Sequence, residues 1–345
     1  MRRRSLLAAA ASASLAGCRP ARTPDRLTED LGRALTGGDR SSFVDCFAAP
    51  AEALADRLWR NWTALRVERP AWDGATIRVR WRAPGEREGA VETLSIAFSG
   101  GRIGALVPTG PTPLWLPGPL TVRAAPGAAL LADADVPDAV AGAWLRAAGE
   151  ASRIVASAGL AGAARQWDGV LVVGLPGTTE AFADTAGLAA AQAAATQAAT
   201  VMADAGSAPR VTLHRSGTAA LDPAGRRAVL VHEGVHAATR SAVSAAPLWL
   251  VEGVAESVTA AADPATRARN ATLLAAADRP TGLPTRADLD GPAADVAYAR
   301  AALAVDAASA RWGRPAVMAW LADWTAPGRP DEAELADAFL TAAPG

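Results

Sequence analysis

Apolar residues recur along this chain with two periods, and the change of period divides it. From Pro24 to Ala64 they fall at helical intervals. Thr23 is placed to cap a helix opening at Pro24, Gly37-Gly38 to stop it, and a second helical stretch covers Ser41 to Ala64. The period then drops to two. Ile77, Val79 and Trp81 alternate with Arg78, Arg80 and Arg82, which predicts a half-buried strand. Leu94, Ile96 and Phe98 repeat the alternation, and Gly100-Gly101 turns the chain into an apolar run from Ile103 to Val107. Helices followed by a meander predict a small α+β domain over 19–108. Thr109-Gly110-Pro111-Thr112-Pro113, with Pro117 and Pro119, predicts a linker over 109–119.

The remaining stretch, 120–345, reads as a second, mostly helical domain with a small sheet. A helix is expected around 138–157 and a buried strand over Val170 to Val173. The alanine-rich run from Ala186 to Ala205 is expected to be helical on propensity, and Val211 to His214 to form a short strand. After Asp222 the pattern is helix and loop only. The fold class predicted for the whole is α+β. In shape, the first domain resembles NTF2-like and cystatin-like folds, which implies a spacer or binding module.

Charge and composition narrow the function. The formal net charge is −1 over 345 residues, the chain has no lysine, and no basic block interleaves with aromatics, so nucleic acid is not an expected partner. Arg2-Arg3-Arg4 followed by the apolar run Leu6 to Ala16 has the form of an export signal over 1–18. It ends in Leu15-Ala16-Gly17-Cys18, which resembles the bacterial lipobox. That resemblance implies a lipidated Cys18 anchoring the protein to the outer face of the cytoplasmic membrane; an ordinary cleaved signal is the alternative. Cys46 is then left without a disulfide partner and sits in an apolar helical pattern, as a small buried hydrophobe would.

The candidate chemistry lies in one helix. Asp222-Pro223 is a capped helix start, and the helix runs through His232-Glu233-Gly234-Val235-His236. One turn separates the two histidines, so both imidazoles project from one face at the spacing a single metal ion requires. Glu233 lies a step around the helix, where a carboxylate reaches a water at the ion without binding the ion. A catalytic zinc takes three protein ligands and keeps one open position. Thr239 and Ala242 stand where a metzincin carries glycine and histidine, which excludes that pattern. The chain has three histidines; the third, His214, lies upstream, and a downstream carboxylate is the expected third ligand.

Trp249-Leu250-Val251-Glu252-Gly253-Val254-Ala255-Glu256 follows, and here the sequence resembles the gluzincin metallopeptidases of the thermolysin-like superfold over about 165–325. The resemblance implies a Zn²⁺ cofactor, Glu252 as third ligand, Glu233 as general base and a peptide or protein substrate. Glu256, a turn beyond Glu252, is either a carboxylate orienting a ligand histidine or a solvated helix charge. Tyr298, the single tyrosine, is either the donor to the oxyanion or a ring packed between helices; His214 is a weaker candidate for that donor, on a strand matching the family's substrate-binding edge. The aminopeptidase segment G-x-M-E-N has no counterpart, which points away from that exopeptidase type. A non-catalytic envelope binding lipoprotein and a four-ligand structural zinc site are the competing readings.

Overall fold

A computed structural model describes residues 23–164, 167–202 and 206–344, which form an α+β protein with two sheets. The export signal and Cys18 lie outside the described residues. The chain opens with α1 (Pro24–Gly37), α2 (Arg40–Val44) and α3 (Glu52–Ala64). A four-stranded antiparallel meander follows: β1 (Ala71–Trp72), β2 (Thr76–Trp81), β3 (Ala90–Ser99) and β4 (Arg102–Pro108). Thr23 caps α1 and Gly38, at φ 67°, ends it. The single helix expected over Ser41–Ala64 is broken. Cys46 and Ala48 exchange backbone hydrogen bonds with Ile103, and a 3₁₀ turn over Ala49–Ala51, with Pro50 at its centre, precedes α3. Cys46 is fully buried.

The second sheet contains β5 (Leu120–Ala125), β6 (Ala128–Asp133), β7 (Leu171–Leu175), β8 (Ala198–Val201) and β9 (Arg210–Leu213), in the order β5-β6-β7-β9-β8. The pairs β6–β7 and β7–β9 are parallel and the two outer pairs antiparallel. Between these strands lie α4 (Asp138–Ser157), α5 (Thr179–Ala186) and α6 (Ala190–Ala195). The alanine run expected as one helix therefore divides over its described part; its last three residues, 203–205, lie outside the described residues. Gly187 at φ 67° stops α5, and Ala198–Val201 pairs with β9 because a sheet edge there outweighs alanine's helix propensity. The strand leading to His214 is interior; β8, not β9, is the edge.

After β9 come α7 (Pro223–Thr239), α8 (Leu248–Ala262), α9 (Pro264–Ala276), α10 (Arg286–Leu289), α11 (Ala294–Trp312), α12 (Arg314–Ala322) and α13 (Glu332–Ala342). The second sheet is covered on both faces, which is why β6 and β7 read as continuous apolar runs. Leu130, Leu171 and Val173 join a core with α4, α7 and α8, whereas Ala129, Leu131 and Val172 join the core of the N-terminal helices and meander. The segment expected as a linker is part of that packing. Leu114, Trp115 and Leu116 are buried, and Asn61 binds Trp115 O, Gly118 O and Leu120 N. Among the described residues no helix is long and apolar enough to cross a membrane.

Candidate metal centre

The site is built where α7 and α8 pack against each other. Asp222 accepts a hydrogen bond from Gly225 N at 2.7 Å and Pro223 fills the first turn, so α7 starts where the sequence predicts. Close approach on two sides fixes the helices. A Cβ at Gly234 would lie 3.0 Å from Val155 Cγ2, and one at Gly253 would lie 2.4 Å from the Ala301 carbonyl oxygen on α11. The glycines are where helix backbones touch their neighbours.

His232, His236 and Glu252 converge. Their Nε2 atoms stand 3.1 Å apart, and Glu252 Oε2 lies 3.2 Å from each. Ligands at about 2.0–2.1 Å around a tetrahedral ion lie about 3.3–3.4 Å from one another, so the donor triangle fits such an ion closely. It is also the single group of three or more candidate ligands among the described residues. Two imidazole nitrogens and one carboxylate oxygen form a three-donor set at the cleft.

Both imidazoles are held from behind. Glu256 Oε2 lies 3.4 Å from His232 Nδ1, and its other oxygen accepts from Arg269 Nη2 at 2.6 Å and Asn270 Nδ2 at 2.9 Å. Ser241 Oγ lies 3.0 Å from His236 Nδ1. Glu256 thus faces the ring nitrogen remote from the triangle and is no fourth ligand. Burial by itself disfavours a charged His232, but Glu252 and Glu256 overcome it and lift its pKa to about 10. Burial likewise opposes ionisation of Glu252, and His236 and His232 more than offset it, holding the carboxyl well below its ordinary range. A cation entering the triangle has to displace the imidazole proton.

Glu233, 9% exposed, lines the same cleft, and its carboxylate accepts a 2.7 Å hydrogen bond from Thr200 on β8. The cleft holds about 430 Å³, and its lining includes Ala198, Ala199, Thr200, Leu248, Val251 and Tyr298. The Tyr298 ring lies 6.1 Å from that of His232, and among the described residues its hydroxyl has no hydrogen-bond partner. Burial, then the carboxylates Glu252 and Glu233, push its pKa up, so it stays a proton-bearing donor.

His214 belongs elsewhere. Its ring stacks on Phe182 at 4.9 Å, and its nitrogens lie within 3.0 Å of Thr179 Oγ1, Ser216 Oγ and Thr196 O. It is a satisfied core histidine and does not line the cleft. Ser241, Thr200, Arg269, Asn270 and the cleft-lining Arg286 carry no local sequence signal for a metal site. No protein-family model matches the chain, and neither a curated protein nor a solved structure matches it.

Proposed function

We propose that this protein is a zinc-dependent peptidase of gluzincin type, acting on peptide or protein substrates outside the cytoplasm. The observation that carries the reading is the donor triangle of His232, His236 and Glu252 with the Glu233 carboxylate beside it in one open cleft. The residues fit zinc in number, type and spacing, and both imidazoles have the partner at the remote nitrogen that zinc-binding histidines require. A structural site would want a fourth protein ligand, and Glu256 is committed to Arg269 and Asn270. Bound there, zinc would act as a Lewis acid and bring the pKa of a water in its open position to about 7.

The chain's own residues do the rest. Glu233 takes the proton of the water attacking the scissile carbonyl and delivers it to the leaving amine; Thr200 fixes its carboxylate for both transfers. Tyr298, protonated and without a hydrogen-bond partner among the described residues, donates to the oxygen that becomes negative. Gln197 O accepts from His214 N, so residues 197, 199 and 201 spend their backbone groups on β9 while Ala198 and Thr200 turn theirs to the open edge. An extended substrate pairs there as an added strand. The resemblance of Leu15-Ala16-Gly17-Cys18 to a lipobox supports export and a lipid anchor on the outer face of the membrane.

Glu233→Gln tests the reading because it keeps the shape and removes the base. Zinc content should stay at wild-type level, and hydrolysis of an unstructured protein and of a broad peptide library should fall by at least about a hundredfold. Zinc-loaded wild type that cuts nothing, or a variant that cuts as fast, would hand the chain to the binding-lipoprotein reading.

A further inference from the structure

Arg240 connects the N-terminal unit to the metal centre. Arg240 ends α7 in the left-handed region, at φ 53°, which reverses the chain and sets the next residue, Ser241, on His236 Nδ1 at 3.0 Å. A non-glycine residue in that conformation persists where its surroundings hold it. Here the Arg240 side chain is 16% exposed, and two of the contacts that hold its guanidinium reach fixed acceptors. Nη2 donates to Ser207 O at 2.7 Å, and Nη1 donates to Glu88 Oε2 at 3.1 Å.

Glu88 sits in the turn between β2 and β3, and that turn is fastened to the second unit on its own account. Glu86 forms a two-point ion pair with Arg210, at 2.6 and 2.9 Å, and Arg210 stacks 4.2 Å above the Trp81 ring. Asp168 accepts from Arg87 N at 2.6 Å. On the other side of the turn, Gly89 O accepts from Ala208 N at 3.1 Å and Val91 N donates to Ser207 Oγ at 3.0 Å. The Glu88 and Ser207 acceptors of Arg240 are thereby both fixed to the N-terminal meander.

We infer that Arg240 is a positioning residue for the metal centre and that the β2–β3 turn of the N-terminal unit sets its place through Glu88 and Ser207. The line of contacts is Glu88 and Ser207 to Arg240, Arg240 to the αL reversal, the reversal to Ser241, and Ser241 to the ring orientation of His236. This rests on the metal reading above and adds to it a role for the N-terminal unit: without the turn in place, one ligand imidazole loses the hydroxyl that orients it. Loss of such a partner typically weakens metal binding tenfold to a hundredfold.

Zinc affinity of the full chain, measured by competition with a chromophoric chelator, tests this. Ser241→Ala should bind zinc at least about tenfold more weakly. Arg240→Gly, which keeps the left-handed backbone accessible and removes the guanidinium, should lose a similar factor. Glu88→Ala, at an exposed position, should lose about twofold to fivefold, and nothing further when Ser241 is already alanine. Melting of the metal-free proteins separates a local effect from unfolding, and Glu88→Ala carries the test if Arg240→Gly does not fold. Wild-type affinity in both Arg240→Gly and Glu88→Ala overturns the inference, and so does an equal Glu88→Ala loss with and without Ser241. If His232→Ala also binds zinc as wild type does, the metal reading falls with it; if only that variant loses zinc, the metal reading stands alone.

Discussion

Two glycines hold the site helices, and replacing each by alanine should have different consequences. At Gly253 the new methyl meets the Ala301 carbonyl oxygen at 2.4 Å, the Ala301 carbonyl carbon at 2.8 Å and Val305 Cγ2 at 2.8 Å. Backbone atoms cannot rotate away, so α8 and α11 have to part by about 1 Å to restore ordinary contact. Overpacking of this kind costs about 3 kcal/mol at the upper end of its usual range, and alanine returns about 1 kcal/mol of helix propensity, for a net loss of about 2 kcal/mol. At Gly234 the nearest obstacle is one methyl of Val155 at 3.0 Å, with the next at 3.7 Å. A small side-chain shift relieves it, and the propensity gain of about 1 kcal/mol offsets the remaining crowding. Urea unfolding of the metal-free proteins should put Gly234→Ala within about 1 kcal/mol of wild type and Gly253→Ala about 2 kcal/mol below it. The second variant should also bind zinc more weakly, because Glu252 precedes the displaced residue. Equal stability of the two variants would refute the packing argument.

Further outcomes follow from the same contacts. Glu256→Gln turns an acceptor for the His232 ring into an amide and should weaken zinc binding tenfold to a hundredfold, read by chelator competition; unchanged affinity would make Glu256 a bystander. A fragment beginning at Pro119 uncovers Ala129, Leu131 and Val172 and should lack a cooperative melting transition, whereas a melt matching the full chain would show that the shared core is dispensable.

Much of this was legible because local rules and tertiary context agreed. The caps at Thr23 and Asp222 act where they stand, the Ile77-Val79-Trp81 alternation is a half-buried strand, and two histidines one helical turn apart meet on one face. Errors came where long-range pairing overrode local preference. Cys46 and Ala48 leave the helix because Ile103 takes their backbone groups, and Ala198–Val201 leaves the alanine run because β9 offers a ladder. The proline-rich segment looks like a tether since prolines punctuate it, yet Trp115 buries itself beside Trp62, with ring centroids 5.5 Å apart. The residues orienting the histidines were illegible for a related reason. Ser241 acts only through the left-handed turn at Arg240, and Asn270 reaches Glu256 from a different helix, so neither has a periodicity or a motif to announce it.

In the proposed reading one ion sits among His232, His236 and Glu252 with a position open to the cleft. Anomalous diffraction from crystals of the zinc-loaded protein, recorded at the zinc edge, tests it directly. A single strong peak should lie about 2.0–2.2 Å from His232 Nε2, His236 Nε2 and Glu252 Oε2, with Glu233 and Glu256 outside bonding distance. A peak elsewhere, a fourth protein ligand on the ion, or no peak at the triangle would contradict it.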